Sequence, residues 1–113
     1  AREKCAEFFG GETENTVFTL NCTHAINFAL KGVCNAKGHC HVITSDLEHN
    51  SVIRPLHALY KQKQINYSIA DSGGSDDELL SAVEKQIRRD TAVVIMTAGC
   101  NVNGRVTPLA RIA

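Results

Sequence analysis

The feature that most constrains this chain is a rhythm. Short, largely apolar runs alternate with longer stretches whose apolar residues recur every three or four positions. The runs are Val17-Phe18-Thr19-Leu20, His41-Val42-Ile43-Thr44, Ile65-Asn66-Tyr67-Ser68-Ile69 and Ala92-Val93-Val94-Ile95-Met96. Apart from Ile65-Asn66-Tyr67-Ser68-Ile69, the runs do not alternate polar with apolar, which suits strands covered on both faces, as in a parallel sheet. Between them, Ala25, Ile26, Ala29, Leu30 and Val33 form one helical stripe that opens at Asn21 or Cys22. Val52, Leu56, Leu59 and Tyr60 form a second beyond His49, with Pro55 expected in its first turn, where a missing N–H costs little. Leu79, Leu80, Val83 and Ile87 form a third, behind Ser75 and Glu78 at the spacing of a capping box. A helix end over residues 2–9 closes at Gly10-Gly11, and Pro108 starts a last helix. The pattern predicts an α/β chain of three layers, with about four strands in a mostly parallel sheet and flanking helices.

Length and charge narrow the reading. At 113 residues the chain fits one domain of ordinary size. Twelve Lys and Arg balance twelve Asp and Glu, so the broad basic surface of a nucleic-acid binder is not expected. No apolar stretch approaches the ~20 residues that span a bilayer, and no membrane partner is expected. The first residue is Ala1, and both ends read like helix interiors. Residues 1–113 are therefore expected to be one part of a larger domain, truncated at both ends.

Five cysteines stand at 5, 22, 34, 40 and 100, an odd number at irregular spacing, which suits a reduced, cytoplasmic chain. Cys34, His39, Cys40 and His41 are all zinc-ligand types, but their spacing matches no paired structural-zinc frame, and no metal is expected.

In a parallel α/β sheet, ligands bind beyond the carboxyl ends of the strands. Three polar segments fall there: Asn21-Cys22-Thr23-His24, Ser45-Asp46-Leu47-Glu48-His49-Asn50-Ser51, and Ala98-Gly99-Cys100-Asn101-Val102-Asn103-Gly104. The first has the physics of a phosphate seat, since a helix start presents unpaired N–H groups and partial positive charge. Helix capping by Asn21 or Thr23 explains the same residues. His49 at a strand-to-helix turn is either a cap or a functional group. No Walker or dinucleotide glycine fingerprint occurs.

Three blocks carry a resemblance to a known family: Val17-Phe18-Thr19-Leu20-Asn21-Cys22-Thr23-His24-Ala25-Ile26-Asn27, Ile43-Thr44-Ser45-Asp46-Leu47-Glu48-His49-Asn50-Ser51-Val52 and Asn101-Val102-Asn103-Gly104-Arg105-Val106. In order and spacing the chain resembles the class V aminotransferase-like enzymes that use pyridoxal 5'-phosphate, particularly cysteine desulfurases and selenocysteine lyases. The resemblance implies that Cys22 and Thr23 bind the cofactor phosphate. It implies that His49 stacks on the pyridine ring and helps proton transfer, and that Asn101 hydrogen-bonds the phenolic oxygen. It further implies an amino-acid substrate, cysteine or a related one, and a homodimeric parent enzyme. His24 departs from the glutamate many members carry, and the Gly38-His39-Cys40-His41 turn lacks the usual proline.

The resemblance also implies groups that would lie beyond Ala113: an aspartate on the pyridinium nitrogen, the lysine that forms the Schiff base, a substrate-carboxylate arginine and a nucleophilic cysteine. Lysines 4, 31, 37, 61, 63 and 85 fit helices or loops instead. In the family's large domain the first strand pairs with the last, away from the second, third and fourth. Residues 17–20 would then stand without neighbours, and the segment is expected to be inactive and marginally stable alone. Two other readings remain open: a non-catalytic α/β module for a phosphorylated small molecule or a protein partner, and a small metal-binding redox protein.

Overall fold

The structure is a computed structural model describing residues 1–113. Its elements, in chain order, are α1 (Arg2–Phe9), a single 3-10 turn (Thr13–Asn15), α2 (Cys22–Lys37), β1 (Cys40–Ser45), α3 (Asn50–Lys61), β2 (Ile65–Ala70), α4 (Asp76–Gln86), β3 (Thr91–Val94) and α5 (Leu109–Ile112). The sheet has three strands in the order β2-β1-β3, all parallel. β1 is central, and all six of its residues are buried. That accounts for a run with no polar face turned to water.

Alternate residues of β1 serve opposite layers. Cys40 and Val42 join Leu30 and Cys34 of α2 and Val52, Leu56 and Leu59 of α3 in one core cluster. Ile43 points the other way, with Ala70, toward Leu79 and Val83 of α4. The result is the expected three layers, helices on both sides of a parallel sheet. His41, also on the α4 side, is fully buried and bridges all three strands: its Nδ1 meets Thr91 Oγ1 and its Nε2 meets Ser68 Oγ, each at 2.9 Å.

Local signals place the helix ends. Gly10 closes α1 at φ 67°, accepting the left-handed geometry that a side chain disfavours. Ser75 and Glu78 form the capping box reciprocally at the start of α4. Gly73, at φ 57°, lies so close to Glu78 that a Cβ there would come within 2.9 Å of it.

Three expectations are corrected. Residues 17–20 form no strand: Val17, Phe18 and Leu20 are 71%, 60% and 88% exposed. Their apolar run has no strand beside it, and an unpaired strand has nothing to hold it. The sheet therefore has three strands, not four. Pro55 lies inside α3 and not in its first turn, because His49 caps the helix earlier than the apolar stripe suggested. β3 ends at Val94, although Ile95 N–H still donates to Ile43 O at 2.9 Å. β3 also carries a bulge, since Thr91 and Val93 face the adjacent His41 and Val42.

Candidate functional site

The carboxyl edge of the sheet gathers the three polar segments through distinct local devices. Asn21 is the N-cap of α2, and its Oδ1 accepts from His24 N–H at 2.9 Å. The Cys22 and Thr23 amides, one and two places inside the helix, have no helical acceptor in this geometry. Both residues are exposed. The Asn27 side chain donates to Thr23 O at 2.9 Å, stiffening that first turn.

His49 is the N-cap of α3. Its Nδ1 accepts from Ser51 N–H at 3.1 Å and lies 3.0 Å from Ser51 Oγ. Accepting at Nδ1 leaves the proton of a neutral ring on Nε2 and fixes the imidazole plane. His49 thus acts as a cap and still presents a free ring face and an N–H.

Thr23 and His49 line one open groove of about 680 Å³ between α2 and α3, with Lys31, Ser51 and Arg54 among the other lining groups. No carboxylate lines it. Thr23 at the start of α2 and His49, Asn50 and Ser51 at the start of α3 form a donor set that fits a phosphate dianion at a helix start, while Lys31 and Arg54 stand further along the two helices. The residues present therefore fit the phosphate end of pyridoxal phosphate. Cys22 adjoins the groove through its neighbour Thr23 but does not line it.

Asn101 sits elsewhere on the edge, in an exposed turn beyond β3. A small loop holds it: Gly99 and Val106 form an antiparallel bridge, and Cys100 N–H donates to Arg105 O at 2.9 Å. Arg105 clamps the loop to the turn before α4, donating to Gly73 O at 2.6 Å and Ser75 O at 3.0 Å. The structure therefore brings Thr23 and His49 together in one groove and leaves Asn101 outside its lining.

Two carboxylates at this edge were not singled out from sequence. Glu48 Oε1 accepts from Ser45 Oγ and from Thr97 N–H, both at 2.7 Å, which ties the His49 segment to the start of the Asn101 loop. Asp46 Oδ1 accepts from Ser72 N–H at 2.9 Å and joins the ends of β1 and β2. Their position just past a strand end was a visible signal; their partners, 26 and 49 residues away, were not.

No group of three or more His, Cys, Asp or Glu side chains is placed to hold a metal ion. No helix is long and apolar enough to cross a membrane.

Comparison with known proteins fits this architecture. The family profile "Aminotransferase class-V" matches residues 1–113. The cysteine desulfurase IscS of Dictyoglomus turgidum is 34% identical over 117 residues, covering 100% of this chain and 29% of that protein. IscS 1 of Archaeoglobus fulgidus is 35% identical over 116 residues, covering 100% and 30%. Among solved structures, a NifS-like protein superposes with a TM-score of 0.85 at 28% identity, over 98% of this chain and 31% of that one. The chain belongs to the class-V aminotransferase family, whose members depend on pyridoxal phosphate. It spans about three tenths of the length of the curated relatives it matches.

Proposed function

We propose that residues 1–113 form part of the pyridoxal-phosphate-binding large domain of a cysteine desulfurase-like enzyme and supply one side of its cofactor site. The observation that carries this reading is the acid-free groove holding Thr23 and His49 at the start of two helices, in a chain matched over its whole length by the family. The bound cofactor supplies an electron sink for amino-acid chemistry. The amides of Cys22 and Thr23 and the Thr23 hydroxyl bind the phosphate. His49, its plane held by Ser51, stacks on the ring and holds a proton at Nε2 beside the substrate. Asn101 donates its side-chain N–H to the phenolic oxygen from a loop braced by Arg105.

The parent enzyme is proposed to act on cysteine or a related amino acid, as a homodimer in the cytoplasm. The chain alone is proposed to be inactive, because its six lysines fit helices or loops and not the position of the family's Schiff-base lysine. Amide NMR tests the site: pyridoxal phosphate should shift the Cys22 and Thr23 N–H signals and the His49 ring, and Thr23→Ala should weaken that binding about tenfold. Unmoved Cys22 and Thr23 signals at saturating cofactor overturn the assignment. Sulfide release from cysteine, or a borohydride-trapped cofactor adduct at one specific lysine, overturns the inactivity.

A further inference from the structure

At the amino edge of the sheet, two of the free cysteines lie in one core cluster. Cys34 projects from the last turns of α2 and Cys40 is the first residue of β1. Only the helix end and the Gly38 turn, at φ 74° and ψ −148°, separate them. Both are buried, 4% and 3% exposed, and both belong to the same core cluster. The two pack in that one cluster six residues apart in the chain, and Cys40 adds to the upward push that burial gives the Cys34 thiol. Cys5, Cys22 and Cys100 do not share this cluster.

The two thiols are not equivalent. Cys40 also contributes to the wall of an open cleft of about 240 Å³, lined on its polar side by Lys37, His39, Arg89 and Asp90. Cys34 does not line that cleft. Lys37 and Arg89 against the single carboxylate of Asp90 leave its lining with positive charge in excess, which favours an anionic visitor.

We propose that Cys34 and Cys40 form a thiol–disulfide exchange site that reacts with an anionic low-molecular-weight disulfide and closes into an intramolecular disulfide. The oxidant is that disulfide. Deprotonated Cys40 attacks one of its sulfurs; a bond forms between Cys40 and that sulfur, the reagent's S–S bond breaks, and the electron pair leaves on a thiolate. Cys34, deprotonated in its turn, attacks the Cys40 sulfur and expels the second thiolate. The two cysteines lose two electrons, the reagent is reduced to two thiols, and the two cysteine protons end on the released thiolates. The order follows from the surroundings. Burial and the adjoining Cys40 push the Cys34 thiol up to about 11, from an ordinary 9.0, so it is the poorer nucleophile in the resting chain. Cys40, on the wall of the cleft, attacks first. The chemistry lies at the amino edge of the sheet, away from Thr23 and His49 at the helix starts, and does not depend on the proposed enzyme function.

Oxidised glutathione, an anionic disulfide, is the probe, used with the full chain carrying Cys5→Ser, Cys22→Ser and Cys100→Ser so that only the pair can react. Intact mass and peptide mapping should show loss of two hydrogens and a Cys34–Cys40 cross-linked peptide. The equilibrium constant against the glutathione couple should be about tenfold or more higher for the folded chain than for the chain in denaturant, because folding holds the thiols together. In the Cys34→Ala variant the mixed disulfide at Cys40 should accumulate, whereas Cys40→Ala should leave Cys34 unmodified on the same timescale. Should either alanine variant fail to fold, the Cys→Ser pair of variants gives the same two readings. A folded-to-denatured ratio of one or less overturns the proposal. So does a Cys40 adduct that persists with Cys34 present, or faster modification at Cys34 than at Cys40.

Discussion

Thr44 is fully buried near the end of β1, on the strand face shared with Val42, and its hydroxyl has no hydrogen-bond partner. A buried, unpaired hydroxyl opposes folding, and valine has nearly the same shape without it. Thr44→Val should therefore raise the unfolding free energy by about 1 kcal/mol in denaturant titration, and a loss of stability would show that the hydroxyl has a partner. His41 shows the opposite situation, a buried polar side chain fully paired through Thr91 and Ser68. Burial lowers its pKa from the ordinary 6.5, Arg88 lowers it further, and Asp90 opposes them. The unfolded chain then takes up a proton near pH 6.5 that the folded chain takes up only at lower pH, so stability falls as pH drops below 6.5. The lowered pKa values of Glu78 and Asp90 act later. Their contribution is present above 4.5 and 3.8 and is lost as pH falls through still lower values. Between about pH 6.5 and 5, acid destabilisation should therefore be largely removed by His41→Gln, compared as midpoints across that window. An unchanged pH slope in the variant would assign the effect to another group.

At the scale of elements, what could be read from sequence was what neighbours along the chain decide. The capping box at Ser75 and Glu78, the glycine stop after Phe9 and the doubly covered β1 all depend on residues a few positions apart, and all formed. Residues 17–20 have the same local signature as a strand, yet form none, because a strand depends on what lies beside it and that is absent from the local pattern. The candidate site divides the same way. Thr23 and His49 could be placed at helix starts from sequence, whereas the braces that hold the loops are long-range. Glu48 is the clearest of these, with one oxygen shared between Ser45 and the Thr97 amide. Glu48→Ala leaves a donor at each end without its acceptor, and should cost about 1–3 kcal/mol. Hydrogen exchange at the Thr97 amide should rise with it; unchanged protection there would show that the loop is held by its own bridge and by Arg105.

For the whole molecule, surface area decides more than any single contact. A folded chain of 12.3 kDa exposes about 6,100 Å² when it closes around its own core. This one exposes 7653 Å², with a radius of gyration of 14.7 Å against about 13.3 Å for a compact domain of its length. The excess includes large apolar side chains: Phe8 and Phe9 are each 81% exposed, and Val17, Phe18 and Leu20 extend the same N-terminal region. On the other side of the sheet, β3 has β1 on one edge and no strand on the other. An apolar surface and an open strand edge are what a neighbouring part of a larger domain would cover, and both promote association when left bare. The chain by itself should therefore self-associate or aggregate. Sedimentation should show mass rising with concentration, and an apolar dye should bind before any thermal transition. A concentration-independent monomer that unfolds in one cooperative step would mean that three strands and their helices are sufficient, and that the bare surface does not need a partner.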